Sequence, residues 1–278
     1  MANGKHKGKS RFAWLKPPQA APGGVMSLAD HLRELRYRFI VAAIAIVLAS
    51  SLAAIWYNQL YLVFMRPYLL AVEMLKASNP NLTASTVISG VGTPIMLALQ
   101  VCLVAGLIIA APIWLWQLWA FIVPALMANE KKYAIGFLAA ATPLFLLGVL
   151  IGYWIMPQGI SVMLSFTPSS IPITNLLEVN DFLKLQLQLM VIFGLGFLMP
   201  VVVVGINLIG LVSSAQLAKA RTFVIFGTFV FGAAATPSTD PFSMLALALP
   251  MSLLYIAAEQ VCRFNDRRKA KAAALEAV

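Results

Sequence analysis

The segment MSLADHLRELRYRFIVAAIAIVLASSLAAIWY, Met26–Tyr57, decides the fold, because within it the chain changes from a polar helix to an uncharged apolar one. In its first part, leucines recur at helical spacing, and Ser27 with Asp30 has the pattern of an N-cap followed by an acidic residue. Its second part, Phe39–Tyr57, is close to the ~20 apolar residues that span a membrane. We predict a short amphipathic helix that precedes a membrane-spanning helix.

The whole chain has the composition of a membrane protein. Its 278 residues are 61% hydrophobic and 11% charged, and the mean hydropathy is +0.87, which leaves too little polar surface for a soluble globule. We predict an all-α, polytopic protein with six transmembrane helices. The long uncharged runs that carry them are Phe39–Tyr57, Ile95–Leu126, Tyr133–Met156, Leu185–Val212, Thr222–Ala235 and Phe242–Ala258.

The last two apolar runs are short. As a helix, Thr222–Ala235 extends about 21 Å at ~1.5 Å per residue, against a hydrocarbon core of about 30 Å. We therefore expect the bilayer to be locally thinner beside these two helices.

The distribution of Lys and Arg predicts the orientation. Most of the 20 basic residues precede the first apolar run, follow the second or fourth, or follow the sixth, and such residues stay on the cytoplasmic side. Both termini are thus predicted to be cytoplasmic. We divide the chain into a disordered basic tail (1–25), a membrane domain (26–264) and a second basic tail (265–278). The net charge of +10 reflects this topology and attraction to anionic lipid; no nucleic-acid motif accompanies it.

The sequence contains no motif for catalysis. HExxH, GxSxG and a Walker loop are absent, and the only two histidines, His6 and His31, precede the first apolar run. We predict a protein that is not an enzyme and has no metal or cofactor. The middle parts of the six runs carry no charge, which disfavours an ion-coupled transporter. A multi-span small-molecule transporter or channel remains the alternative, and an assembly chaperone for membrane helices is a further one.

Two acidic residues at the predicted cytoplasmic edge are the candidate binding groups. At about 100° per residue, Asp30, Glu34 and Arg38 share one helix face and the leucines take the other, so we expect Glu34 to point outward. Glu130 follows the second apolar run. If the two carboxylates meet, they suit a guest with two guanidinium groups. The alternatives, a helix lying on lipid headgroups and a Glu130 that only neutralises its neighbouring lysines, stay open.

Proline and glycine positions predict local features. We expect an interfacial helix that is broken at Pro67, a kink at Pro200, and a close-packing face at Gly148 and Gly152.

Helix ends carry further signals. Asp181 has the pattern of an N-cap, and Asp240 of a cap with Pro241 at the first helical position. Glu259 and Arg263 are spaced for an ion pair within one helix.

Three motifs together resemble one family. They are HLRELR (His31–Arg36), WAFIVPAL (Trp119–Leu126) followed by Glu130, and TPSTDPFS (Thr236–Ser243). They are similar to motifs of TatC, the signal-recognising subunit of the twin-arginine protein translocase. The resemblance runs from about Met26 to Arg268.

This resemblance implies a multi-pass receptor in the bacterial cytoplasmic (inner) membrane. It would bind twin-arginine signal peptides of folded cargo proteins and recruit the single-span partners TatA and TatB. By the same resemblance, Glu34 and Glu130 meet the arginines. The other positions that match functional or structural sites of the family are Arg36, Phe121, Pro67, Pro124, Pro200 and Asp240.

Two residues depart from the pattern of the family. Leu198 stands two residues before Pro200, where a glutamate is usual, and Met244 stands where many members have glutamine. Both changes make the intramembrane surface that contacts partner helices more apolar.

Overall fold

The computed structural model describes residues 28–78, 83–122, 130–166, 174–235 and 241–276, and these ranges are almost entirely helical. Two five-residue strands are the exception to the all-α prediction. The elements in chain order are α1 (Leu28–Ala53), α2 (Tyr57–Ser78), β1 (Thr83–Val87), α3 (Thr93–Ile109), α4 (Ala111–Ile122), α5 (Glu130–Ser165), β2 (Thr174–Glu178), α6 (Val179–Gly196), α7 (Met199–Leu208), α8 (Ser214–Ala235) and α9 (Pro241–Glu276).

Several helices are long and apolar enough to cross a membrane. Within the described ranges there are five such stretches, and α3 with α4 makes a sixth if this pair, bent by 62°, crosses as one span. This agrees with the predicted multi-span plan. The orientation of the termini stays a prediction.

The first apolar run and the polar segment before it form one continuous helix. α1 runs from Leu28 to Ala53 without a break, and a 3-10 turn, Ala54–Trp56, connects it to α2. A separate amphipathic helix, as expected from the sequence, is therefore not present.

Pro67 does not break a helix. It lies inside α2, and the neighbouring side chains of Phe64, Tyr68 and Ala71 are buried in the core. The predicted break at this proline is wrong, and the interfacial position of the helix stays a prediction. One face of α2 packs on the bundle because its aromatic and small residues fall on the same side of the helix.

The two strands pair in parallel, with Thr83 opposite Thr174 and Val87 opposite Glu178. β1 follows α2 and β2 precedes α6, so the small sheet marks one end of the helix bundle, here called the strand end. The opposite end, where α1 begins, α4 ends and α7 turns into α8, is called the basic end.

Glycines bring α5 and α6 into close contact. A Cβ added at Gly148 would lie 2.5 Å from the Phe193 carbonyl oxygen, and one at Gly152 would lie 3.1 Å from the Met190 Cα. On the facing helix, Gly194 approaches the ring of Phe145 in the same way. The predicted close-packing face is confirmed.

The fourth apolar run is interrupted at the predicted proline. α6 ends at Gly196, and α7 begins at Met199 with Pro200 in its first turn. The start of α6 differs from the prediction: Glu178 occupies the N-cap position and Asp181 lies in the first turn. The strand β2 extends directly to Glu178, so the N-cap lies three residues upstream of Asp181.

The last two helices are longer than their apolar runs. α8 has 22 residues and α9 has 36, because both continue into polar sequence at the basic end. α9 begins at Pro241, as predicted, and extends helically through residues 265–276 of the expected tail. The domain boundaries, and a short membrane-spanning part of these helices, stay predictions.

A buried carboxylate joins α8 to α9. Glu259 is fully buried and lies 2.6 Å from Arg263 Nη2, which confirms the predicted pair within α9. Arg221 of α8 donates two further hydrogen bonds to the same carboxylate, at 2.7 and 2.8 Å.

A polar cluster ties the turn between α7 and α8 to α9. Asn207 is buried and donates to Val212 O and to Asp266 Oδ1, while it accepts from Asn265 Nδ2. The second carboxylate oxygen of Asp266 accepts from the backbone N–H of Ser214, at the first residue of α8. The carboxylate of α9 thereby satisfies an N–H that the start of α8 leaves without a helical partner.

Candidate functional site

A polar stripe on α1 faces the bundle at the basic end. His31 stacks on Phe121 of α4, with ring centroids 4.6 Å apart and an interplanar angle of 19°. Glu34 and Arg38 follow His31 at about one-turn intervals, so they lie on the same helix face. We call His31, Glu34 and Arg38 the α1 polar face.

Glu34 points into the protein, contrary to the expectation that it points outward. It is only 4% exposed, while Leu32 and Leu35 are 57% and 41% exposed. The helical period was predicted correctly, but its direction was inverted. In a membrane protein lipid accommodates the leucine face, and polar side chains turn toward the bundle interior.

Arg38 binds one oxygen of this buried carboxylate. Its Nε donates to Glu34 Oε1 at 2.9 Å, and its Nη2 donates to the same oxygen. The other oxygen, Glu34 Oε2, is buried and has no hydrogen-bond partner among the described residues. Half of the carboxylate therefore lacks a hydrogen-bond donor.

An apolar groove of about 230 Å³ adjoins Arg38. We call it the α1–α4 groove; its lining residues come from α1, α3 and α4. Arg38 and Gln117 are the two polar residues among those that line it. The others are Leu35, Phe39, Ala42, Ile46, Leu107, Trp114, Leu118 and Phe121.

The groove lies where the chain bends away after the close contact of α1 with α3 at Gly106. A Cβ added at Gly106 would lie 2.1 Å from Ser50 Oγ, so the two helices touch there. Beyond this contact, α4 turns by 62° from α3. The indole N–H of Trp114 donates to Leu107 O at 3.0 Å and so provides a hydrogen bond to a carbonyl at the bend.

Aromatic contacts anchor α4 in its bent position. Trp119 is buried and stacks on Phe137 of α5 at 3.7 Å, and Trp114 meets Phe145 edge-on at 5.2 Å. Because both rings that anchor α4 belong to α5, the groove wall is held by the core of the bundle.

The structure places some of the predicted binding residues next to one another. Phe121 contacts the α1 polar face through His31 and also lines the groove. Arg36 is exposed and lies about 200° around α1 from Glu34. Glu130 is the first residue of α5; its side chain is outside the described part, so the distance between the two carboxylates is not defined.

The predicted structural and partner-contact residues lie elsewhere. Leu198 is buried at the junction of α6 and α7, and Pro200 is buried beside it. Met244 of α9 packs against Gly232 of α8, where an added Cβ would lie 3.1 Å from the Met244 carbonyl oxygen. Pro67 is buried within α2. Pro124 and Asp240 are outside the described residues.

Two contacts of the site were not predicted from the sequence. Arg38 is the partner of Glu34, and the spacing of four residues between them already contained this signal. The stacking of His31 on Phe121 joins residues 90 positions apart, and no local pattern indicates it.

This arrangement suits a cationic peptide with an apolar segment. A buried carboxylate oxygen without a partner accepts a strong, charge-assisted hydrogen bond from a guanidinium group. The neighbouring groove offers an apolar surface for the segment beside it. Among the described residues, no group of three or more His, Cys, Asp or Glu side chains is arranged to hold a metal ion.

Comparisons with known proteins agree on one family. The family described as Sec-independent protein translocase protein (TatC) matches residues 30–250. A TatC protein of Xylanimonas cellulosilytica is 34% identical over 244 residues, which cover 87% of this chain and 86% of the relative. The TatC protein of Escherichia coli K12 is 30% identical, with 82% of this chain and 84% of the relative covered.

A solved structure shares the fold. The crystal structure of the twin-arginine translocase receptor TatC in DDM superposes with a TM-score of 0.70 and 31% sequence identity. The match covers 84% of this chain and 99% of the crystallised one.

Proposed function

Because the chain belongs to the TatC family, as a multi-pass membrane component of the Sec-independent, twin-arginine translocase, we propose that it is the receptor for twin-arginine signal peptides. Glu34 and Glu130 bind the arginine pair, and the α1–α4 groove binds the apolar stretch of the signal peptide. The crystallised relative is itself described as a translocase receptor.

The buried state of Glu34 supports its role toward arginine. Its Oε2 lacks a partner, and a buried carboxylate oxygen without a hydrogen bond is costly to leave unsatisfied. A guanidinium from a bound peptide supplies the missing donor. Glu130 begins α5, and in the proposal its carboxylate binds the second arginine.

The groove supplies most of the affinity in this proposal. The desolvation cost of a buried ion pair offsets much of its Coulomb attraction, so the arginine contacts alone add little net affinity. Burial of apolar area contributes about 25 cal/mol per Å², and Phe39, Ile46 and Leu118 line the groove with apolar surface. The arginines thus select the peptide, and its apolar stretch holds it.

The proposal places the basic end at the cytoplasmic face of the bacterial inner membrane, with both termini cytoplasmic. The excess of Lys and Arg at this end supports the orientation and an attraction to anionic lipid. Single-span proteins of the TatA and TatB types are the proposed partners. Leu198 is buried and Met244 packs against Gly232, and in the proposal these two residues contribute packing and not a polar partner contact.

One observation carries the proposal: a carboxylate that is 4% exposed and has one unpartnered oxygen binds Arg38, and Arg38 lines an apolar groove.

Photocrosslinking tests where the peptide binds. A photoreactive amino acid at Leu118, which lines the groove, is compared with one at Ile95, which is exposed near the strand end of α3. We expect a twin-arginine signal peptide to crosslink at position 118 and not at position 95. Crosslinks of equal yield at both positions contradict the proposed groove.

Charge removal tests the carboxylates. Glu34→Gln and Glu130→Gln together should abolish export of a twin-arginine reporter protein and leave membrane insertion of the receptor intact. Glu73→Gln is the matched control, because Glu73 is an exposed carboxylate on α2 toward the strand end. Normal export by the double variant contradicts the proposal.

A further inference from the structure

In the absence of a peptide, Arg38 is the cation that binds Glu34. Arg38 donates through Nε and Nη2 to Oε1, and its side chain is 20% exposed, against 6% for Glu34. The contact lies within one helix turn, so it forms without help from any other segment.

This counter-ion is physically necessary. A buried carboxylate with no cation pays a large desolvation cost, and removal of one partner from a buried pair is strongly destabilising. In the unoccupied receptor, Arg38 is the counter-ion of the Glu34 carboxylate.

The Glu34–Arg38 contact occupies the position at which the guanidinium group of a peptide arginine binds in the proposed function. Both donors of Arg38 converge on Oε1 and leave only Oε2 for a second cation. A bidentate contact, which uses both carboxylate oxygens, is the preferred geometry of an arginine–carboxylate pair. A guest arginine reaches this geometry only if Arg38 leaves.

We propose that Arg38 is an internal competitor of the signal peptide: its guanidinium occupies Glu34 in the free receptor and is displaced by the arginine of the peptide. This inference rests on the proposed function. The guest first contacts the unpartnered Oε2, so the carboxylate has a cation throughout the exchange. Arg38 also lines the α1–α4 groove, which gives its displaced head an opening beside the site.

The exchange predicts how affinity changes. An Arg-Arg peptide must break the Glu34–Arg38 contact to reach the bidentate geometry, whereas a Lys-Lys peptide binds Oε2 as a point charge and leaves this contact in place. Arg38 therefore weakens the binding of the Arg-Arg peptide more than that of its Lys-Lys counterpart. The competitor thus lowers the affinity for an Arg-Arg peptide and hastens its release.

The experiment uses the full-length receptor in lipid nanodiscs. The probes are two labelled synthetic peptides, an Arg-Arg pair followed by an apolar segment and the same peptide with Lys-Lys. Their Kd values are measured for the wild type, Arg38→Gln, Arg38→Lys and Arg33→Gln. Arg33→Gln is the matched control, because Arg33 is an exposed guanidinium on α1 that lies 4.0 Å from Asp30 and not at Glu34.

We expect Arg38→Gln to bind the Arg-Arg peptide about tenfold more tightly, the value of one charge-assisted hydrogen bond, and the Lys-Lys peptide more tightly by a smaller factor. Arg38→Lys should fall between the wild type and Arg38→Gln, because lysine acts as a point charge. In Arg38→Gln the affinity ratio shifts toward the Arg-Arg peptide, and the control stays within about twofold of the wild type.

Thermal unfolding provides a second measurement, which applies even if the Arg38→Gln receptor is unstable without peptide. The empty Arg38→Gln receptor should melt below the wild type, and saturating Arg-Arg peptide should raise its melting temperature by more than it raises that of the wild type, since the peptide replaces the missing cation. Glu34→Gln in the same background should remove the gain in affinity.

Unchanged or weaker binding by Arg38→Gln overturns the competitor role, and weaker binding instead identifies Arg38 as a positioning residue for Glu34. These results leave the proposed function intact provided that Glu34→Gln alone weakens binding. If Glu34→Gln alone does not change the Kd of the Arg-Arg peptide, the proposed function itself fails.

Discussion

Pro67 is accommodated inside α2 because another helix supplies a hydrogen bond. A proline has no N–H, so the carbonyl four residues earlier, at Val63, loses its helical donor. The Tyr153 hydroxyl of α5 donates to Val63 O at 2.9 Å. Tyr153 therefore supplies the hydrogen bond that Pro67 cannot donate.

This pairing predicts non-additive mutations. Tyr153→Phe should cost about 1 kcal/mol of unfolding free energy, because it leaves the Val63 carbonyl without a donor. In a Pro67→Ala background the restored backbone N–H serves this carbonyl, so the same substitution should cost close to nothing. A double-mutant cycle of unfolding in detergent measures the coupling. Equal costs in the two backgrounds would contradict the assigned role of Tyr153.

At the scale of elements, the contact between α5 and α6 depends on residues without side chains. The backbone of α6 approaches Gly148 so closely that an added Cβ would meet the Phe193 carbonyl oxygen at 2.5 Å. A carbonyl inside a helix cannot rotate away as a flexible side chain does. The close approach increases van der Waals contact, which drives helix association within lipid.

Two glycines of α5 provide a matched comparison for this interface. Gly148→Ala should lower the free energy of unfolding by about 1–3 kcal/mol, because the two helices must separate to admit the methyl group. Gly136→Ala, on the same helix and with no neighbouring atom within 4 Å of an added Cβ, should stabilise the protein by about 0.5–1 kcal/mol through helix propensity. Thermal unfolding in one detergent compares them, and equal effects would rule out the close packing.

At the scale of the whole molecule, the end of α9 belongs to the bundle. Asp266 links Asn207 of α7 and the first N–H of α8, and Lys269 donates to Leu208 O at 3.0 Å. The polar cluster therefore connects three helices at the basic end, and it includes residues that the sequence assigned to a tail.

This link predicts a local opening. Asn207→Ala removes the side-chain partner of Asp266 and of Asn265, at a cost of about 1–3 kcal/mol. Hydrogen exchange in residues 261–276 should accelerate, while the core of α5 and α6 keeps its protection. Asn58→Ala, at an exposed position of α2, is the control. Unaltered exchange in this segment would show that α9 is held by other contacts.

The sequence predicted features that follow from composition and short-range spacing. The uncharged apolar runs indicated a helical multi-span fold, the glycines of α5 indicated its packing face, and the spacing of Glu259 and Arg263 indicated their ion pair. Each of these depends on a single helix and on the lipid around it.

Features that depend on two distant segments were not predictable in this way. The continuity of α2 requires a tyrosine of α5, and β1 pairs with β2 from residues about 90 positions away. The direction of Glu34 depends on which face of α1 meets α4. A helical period identifies the two faces but does not determine which of them contacts lipid.

The parallel pairing of β1 and β2 has a consequence for biosynthesis. Thr83 meets Thr174, so β1 has no partner until the ribosome has completed β2 and the intervening helices have been inserted. During this interval both edges of β1 are unpaired and can pair incorrectly with other segments. Pairing of β1 with β2 is thus a late step of assembly. A chain truncated upstream of residue 174 should insert into the membrane, but its strand end should lack this pairing.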